Sequence, residues 1–181
     1  MATEKQSCWQ ETRKHVLQMT DKLGMPVDKR MIETVTILKL LGLHTTMSCS
    51  GHMQRITGGP YVAFISPKAE KYRERCKQID NPKDAQYKKL YQKALRENIL
   101  ELQKLYHLLE QFYAARNATT FGRRLSLRTH GFSASRLDCQ GADLARIVDR
   151  RSRKQMLAGS QAEMKDFTEY LKRSFFESKA P

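Results

Sequence analysis

Residues 43–66 read LHTTMSCSGHMQRITGGPYVAFIS, and the change of period inside this stretch decides the fold class. Upstream of it, Met31, Ile32, Val35, Leu38 and Leu41 recur at helical spacing, and Gly42 ends that stripe as a helix C-cap. Beyond Gly42 the helical period is lost. Leu43 to Ser50 is rich in Thr and short enough to be a strand, Gly58-Gly59-Pro60 is a loop, and Tyr61 to Ile65 is a second strand bounded by Ser66-Pro67. A second strand pair lies late in the chain. Arg124 to Thr129 alternates, with Leu125 and Leu127 on one side and Arg124, Ser126 and Arg128 on the other. His130-Gly131 suits a two-residue hairpin loop, and Phe132 to Cys139 is the returning strand. Strands in pairs between helical runs predict an α+β fold: a small mixed or antiparallel four-stranded sheet covered by about six helices.

The helices follow from spacing and caps. Glu4 to Leu23 carries Val16, Met19 and Leu23 on one face, and Asp28 can cap the helix that Gly42 closes. Lys68 to Ile79 and Asp84 to about Arg116 are charged helical stretches. The second holds Leu95, Ile99, Leu102, Tyr106, Leu109 and Tyr113 in steps of four and three, with Leu105, Leu108 and Phe112 beside them. A helix that long measures about 50 Å, more than the diameter of a small domain. It therefore bends, or part of its stripe packs on another subunit, and a homodimer through this helix is one expectation. Gly141 and a capping Asp143 open a helix to about Ala158, Gly159-Ser160 breaks it, and a last helix shows Met164, Phe167, Leu171 and Phe175.

The chain has 181 residues, a length that one domain accommodates, and no linker or repeat divides it. Lys and Arg number 33 against 19 Asp and Glu, a net charge of +14. That field draws anions, and nucleic acid is the commonest large one. No apolar run approaches the roughly 20 residues of a membrane span, and Met1 to Lys14 lacks the apolar core of a secretory signal. The expectation is a cytoplasmic protein with no membrane partner. Cys8, Cys49, Cys76 and Cys139 include no CxxC pair, which suits reduced thiols better than a disulfide framework.

Chemistry concentrates in His44-Thr45-Thr46-Met47-Ser48-Cys49-Ser50-Gly51-His52, where a strand turns at glycine. Hydroxyls, a thiol and an imidazole within one turn offer donors, an acceptor and a nucleophile, and Gly51 lets a ligand approach the backbone. Ser48, Cys49 and His52 are the candidate catalytic residues; Thr45, Ser50 and Gly51, assisted by Arg128 and His130, are the candidate ligand-binding ones. The competing reading is a strand end whose Ser and Thr satisfy local backbone, with Cys49 in the core. Cys49-x-x-His52 also has the spacing of two zinc ligands, with His44, His130 and Cys139 as completions, but no metal site is assigned.

The ordered string Gly24-Met25-Pro26-Val27-Asp28, an apolar helix, Gly42, then Thr45-Thr46-x-Ser48-Cys49-x-Gly51-His52 resembles small uncharacterised bacterial proteins with an S-C-x-G-H signature. More remotely it resembles the tRNA wybutosine-synthesising methyltransferase family, over about residues 24–52. That resemblance implies an α+β fold and S-adenosylmethionine-dependent methyl transfer to a modified guanosine of tRNA, with Ser48, Cys49, Ser50 and Gly51 lining the site. Met47 stands where that family has a second serine and His52 where it has arginine, so a basic group pairing with a substrate or cofactor carboxylate is lost or made pH-dependent.

Between Thr120 and Lys154, nine basic residues face three aspartates. Arg146, Arg150 and Arg153 recur at steps of four and three along one expected helix, and Arg124 shares a strand face with Arg128; these four Arg124, Arg146, Arg150 and Arg153 are the candidate nucleic-acid contacts. The alternative is a solvated charged face. Three function classes stay open: an RNA-associated or nucleotide-binding protein, with tRNA as a partner; a non-enzymatic interaction protein that self-associates; and a small hydrolase or metal enzyme. No GxGxxG, Walker loop, HExxH or serine-hydrolase elbow is present.

Overall fold

The structure, a computed structural model, describes residues 4–21, 24–54, 58–116, 120–130 and 134–178, without the side chain of residue 130. The chain runs α1 (Glu4–Gln18), α2 (Ile32–Leu40), β1 (Thr45–Cys49), β2 (Tyr61–Phe64), α3 (Pro67–Cys76), α4 (Ala85–Ala114), β3 (Leu125–His130), β4 (Ala134–Cys139) and α5 (Arg150–Glu177). Short 3₁₀ turns precede α2, β3 and α5. Among the described residues the fold is α+β with five α-helices, and the sheet is wholly antiparallel in the order β1-β2-β4-β3.

Register fixes which side chains meet the core. Ser48, Val62, Leu137 and Leu127 lie in one cross-strand row, and Met47, Ala63, Arg136 and Arg128 in the next. Successive residues of a strand point to opposite faces, so these rows lie on opposite sides of the sheet. Val62 and Leu137 are fully buried with Phe64, Leu125, Leu102, Leu105, Phe167 and Leu171. Burying each such side chain stabilises the fold by about 1.5–3 kcal/mol. The Arg136 row faces away from that core.

The expected capping positions act as caps. Asp28 accepts from Arg30 N before α2, Ser66 from Ala69 N at α3, and Asp84 from Gln86 N and Tyr87 N at α4. Gly42 has φ +81°, the left-handed conformation that closes α2.

Four expectations need correction. The first helix ends at Gln18, not Leu23, because Asp21 diverts the chain: its backbone N–H donates to Met25 O and its Oδ1 accepts from Met25 N. Leu23 lies outside the described residues. His130 is a strand residue paired with Ala134, so the connection is residues 131–133, which lie outside the described residues. Asp143 sits in a 3₁₀ turn, Ala142–Arg146, and the helix cap is Asp149, which accepts from Arg151 N and Ser152 N. Gly159-Ser160 does not break α5. Gly159 sits inside the helix because the Arg123 side chain lies across it; a Cβ there would stand 2.5 Å from Arg123 Nε.

Helix α4 buries Leu90, Ala94, Asn98, Leu102, Leu105, Leu109 and Phe112. Its first half packs on α3 and its second half crosses the sheet towards α5, so the length is used within the chain. Ile99 and Tyr106 of the expected stripe are exposed. In their stead Asn98, fully buried, accepts from Ser66 N and donates to Ser135 Oγ, both at 2.9 Å.

Candidate functional site

The end of β1 is clipped to the start of α2. Asp28 Oδ2 accepts the Ser50 hydroxyl at 2.5 Å and the Ser50 N–H at 3.3 Å, while its Oδ1 caps Arg30 N. His52 Nε2 stands 3.8 Å from the same Oδ2. Burial pushes the Asp28 carboxyl up, but the hydrogen bonds from Ser50 and Arg30, with His52 nearby, outweigh it and hold the group below the usual carboxylate range. Gly51, at φ +84°, turns the chain against the 58–60 loop; a Cβ there would lie 2.5 Å from Gly58 O.

Beside this clip opens a cleft of about 440 Å³ between α2 and α5. Ser50 and Pro60 contribute to its wall, and Met31, Ile32 and Met164 supply apolar lining. Thr34 and Thr168, both buried, share a hydrogen bond of 2.8 Å in its wall. Arg30 donates to Gln161 Oε1 at 3.2 Å, and Gln161 Nε2 donates to Ser50 O at 2.9 Å, so α5 is tied to the 3₁₀ turn before α2 and to the chain just beyond β1.

Charge on the rim is unequal. Glu33 and Glu169 both pair with Lys172, at 3.1 and 3.2 Å. Arg13, Lys29, Arg30 and Lys165 also line the cleft, and among the described residues none of the four is in an ion pair. A cavity of this size with a few polar groups and an apolar lining has the dimensions of a small-ligand site.

The motif residues do not all line this cleft. Ser50 does, Thr45 and Ser48 open on a much smaller recess beside Met19 and Val27, and Cys49 is buried, its Sγ accepting from Gly51 N at 3.4 Å. His52 lines a third recess with Gly58, Ala145 and Arg153. His44 is bonded through Nδ1 to Glu101 of α4. Among the described residues no three of His, Cys, Asp and Glu gather as a metal would require. Arg128 lies at the far edge of the sheet, three strands or about 14 Å from β1. The His130 side chain lies outside the described residues.

The basic residues divide between elements. Arg146 ends the 3₁₀ turn, and Arg150 and Arg153 belong to α5, so the single helical stripe expected from their spacing is not formed. Arg124 stacks over Tyr113, with 4.6 Å from its guanidinium carbon to the ring centroid. Arg128 and Arg146 instead meet in a pocket of about 180 Å³ with Arg136, Asp138 and Asp143.

The sequence reading missed Arg13, Arg30, Gln161 and Lys165. A weak signal existed: Gln161, Lys165 and Thr168 share a face once α5 is read as one uninterrupted helix. No helix among the described residues is long and apolar enough to cross a membrane. No protein-family model, curated protein or solved structure matches this chain.

Proposed function

We propose that the protein binds RNA and that the cleft between α2 and α5 receives one of its nucleotides. The observation that carries this reading is the rim: four cations without ion-pair partners among the described residues, around a cavity with apolar and polar lining. A nucleotide within a chain presents the complementary pattern, a flat base for Met31 and Met164 and two flanking phosphates for Lys29, Arg30 and Lys165. The net charge of +14 supports a polyanionic partner, since each phosphate neutralised releases counterions. The choice of RNA, and of tRNA as the first RNA to try, rests on the resemblance over residues 24–52.

S-adenosylmethionine, which the same resemblance implies, fits this cleft poorly. It carries a sulfonium and an ammonium against one carboxylate and is net cationic. The two carboxylates that could receive it, Glu33 and Glu169, are already held by Lys172, and the remaining rim is positive. No methyl-transfer step is derived from this site.

The test is equilibrium binding of bulk tRNA beside single-stranded and duplex DNA of similar length, each titrated with salt. Preference for tRNA that survives near-physiological salt, and competition by 5′-ribonucleotides, are expected. Equal binding of all three that vanishes with salt would reduce the charge to background. Self-association would then lead, resting on exposed Ile99, Leu100 and Tyr106 of α4, and light scattering over a concentration series would measure it.

A further inference from the structure

The second pocket lies on other residues than the cleft. Arg128 of β3 and Arg136 of β4 are directly opposed in the antiparallel pair, a placement that sets two positive charges side by side. Asp138, nearly fully buried, stands between them. It accepts from Arg128 Nε at 3.0 Å and from Arg128 Nη2 at 2.8 and 2.7 Å through its two oxygens. Its Oδ2 also lies 3.2 Å from Arg136 Nε. That approach is an ion pair without a hydrogen bond, and Arg136 Nε is a buried donor with no hydrogen-bond partner among the described residues. Tyr61 closes the other side of Arg136, with 3.7 Å from ring centroid to guanidinium carbon.

Arg136 is thus held between a carboxylate and an aromatic face, with its Nε donor lacking a hydrogen bond among the described residues. Arg146 and Asp143 complete the wall, paired only at 3.7 Å, and Arg128 Nη1 is also 3.7 Å from Asp143. Three guanidiniums face two carboxylates around a cavity of about 180 Å³, leaving one uncompensated positive charge. An unmade hydrogen bond on a buried donor costs about 1–3 kcal/mol, so the fold holds Arg136 here against that cost.

We propose that the Arg128–Arg136–Arg146 pocket is a phosphate-binding site. A tetrahedral oxyanion has acceptors on every side, takes the fork of a guanidinium in two parallel bonds, and supplies the charge that Asp138 and Asp143 do not. Asp138 acts as the positioning residue: one carboxylate orients both strand arginines before the anion arrives. The phosphate can be free or part of a nucleotide chain, and the chemistry of recognition is the same.

The test uses the full chain labelled with ¹⁵N, following the arginine Nε–H signals while inorganic phosphate is added. Saturable shifts of Arg136 and Arg128 are expected. Arg146→Ala, a half-exposed position that the fold can lose, should weaken phosphate binding about tenfold. Arg136→Lys, which keeps the charge but not the fork, should do the same. A single-stranded oligoribonucleotide that displaces phosphate assigns the site to a backbone phosphate; failure to displace it assigns the site to free phosphate or a monoester. Unshifted Arg136, or an affinity unchanged in Arg146→Ala, would overturn the proposal. So would loss of these shifts in the cleft variant Lys29→Gln/Lys165→Gln, because the phosphate would then belong to the cleft. Failure of RNA binding with these shifts intact would sink the cleft reading alone.

Discussion

Asp28 Oδ2 accepts the Ser50 hydroxyl at 2.5 Å, joining the cap of the second helical segment to the residue that follows β1 across 22 positions of sequence. The two halves of the motif string, one around Asp28 and one around Ser50, are therefore a single structural unit. One carboxylate serves as helix cap, strand-end anchor and neighbour of His52.

Asp28→Ala removes all three functions. It should lower stability at neutral pH by about 2 kcal/mol, combining a lost cap with an unsatisfied Ser50. The folded-state pKa of Asp28 is depressed, so its contribution is complete above the ordinary carboxylate pKa and is lost as pH falls through the folded value. Urea denaturation at pH 7 and at pH 3 should show the gap between wild type and variant narrowing in acid. An equal gap at both would contradict this.

Gly51 and Gly42 both have positive φ, at +84° and +81°, but only Gly51 is crowded. A Cβ at Gly42 meets nothing within 4 Å, whereas at Gly51 it would meet Gly58 O at 2.5 Å and Leu157 Cδ1 at 2.7 Å. Gly42→Ala should cost about 1 kcal/mol, the price of the backbone conformation alone. Gly51→Ala should cost at least about 2 kcal/mol more through the backbone clash. Thermal denaturation of the pair separates the two effects.

Asn98 ties α4 to the start of α3 and to β4. Asn98→Ala leaves the Ser66 N–H without its acceptor and opens a void, and should destabilise by about 2–3 kcal/mol. Hydrogen exchange at Ser66 should accelerate in the variant beyond the global change. Unaltered exchange there would mean the bond contributes nothing.

Of the four cysteines, Cys8 is exposed and Cys49, Cys76 and Cys139 are buried. Burial also pushes the Cys139 thiol up to about 11, with Asp138 and Glu163 adding to the shift. A thiol-reactive dye should label one site rapidly in the native protein and four in denaturant. Rapid native labelling of two or more would show that the core opens more readily than its packing indicates.

The sheet was legible because alternation at Leu125, Ser126, Leu127 and Arg128 leaves only one face for the core. The long helix was legible in extent but not in facing. Its buried line runs through Ala94 and Asn98, which hydrophobicity weights little, and leaves Ile99 and Tyr106 outside. Gly159 misled because a glycine usually marks a helix end; here it makes room for Arg123, a contact 36 positions away that no local pattern records. The motif was visible as a string, yet the cleft beside it depends on Gln161 reaching Ser50 across 111 positions. The arginines at 128 and 146 stand out in the sequence as charges, but their meeting with Arg136 depends on the β3–β4 register and on where the Ala142–Arg146 turn lies, which no local pattern records.

The most direct test of nucleotide binding in the cleft is the salt dependence of tRNA affinity in wild type and in Lys29→Gln/Lys165→Gln. Both lysines are exposed on the rim and outside the core, so the fold should persist. Loss of two phosphate contacts at about 0.7 per contact should flatten the slope of log affinity against log salt by about 1.4. An unchanged slope and unchanged affinity would show that RNA, if bound, lies elsewhere on the protein.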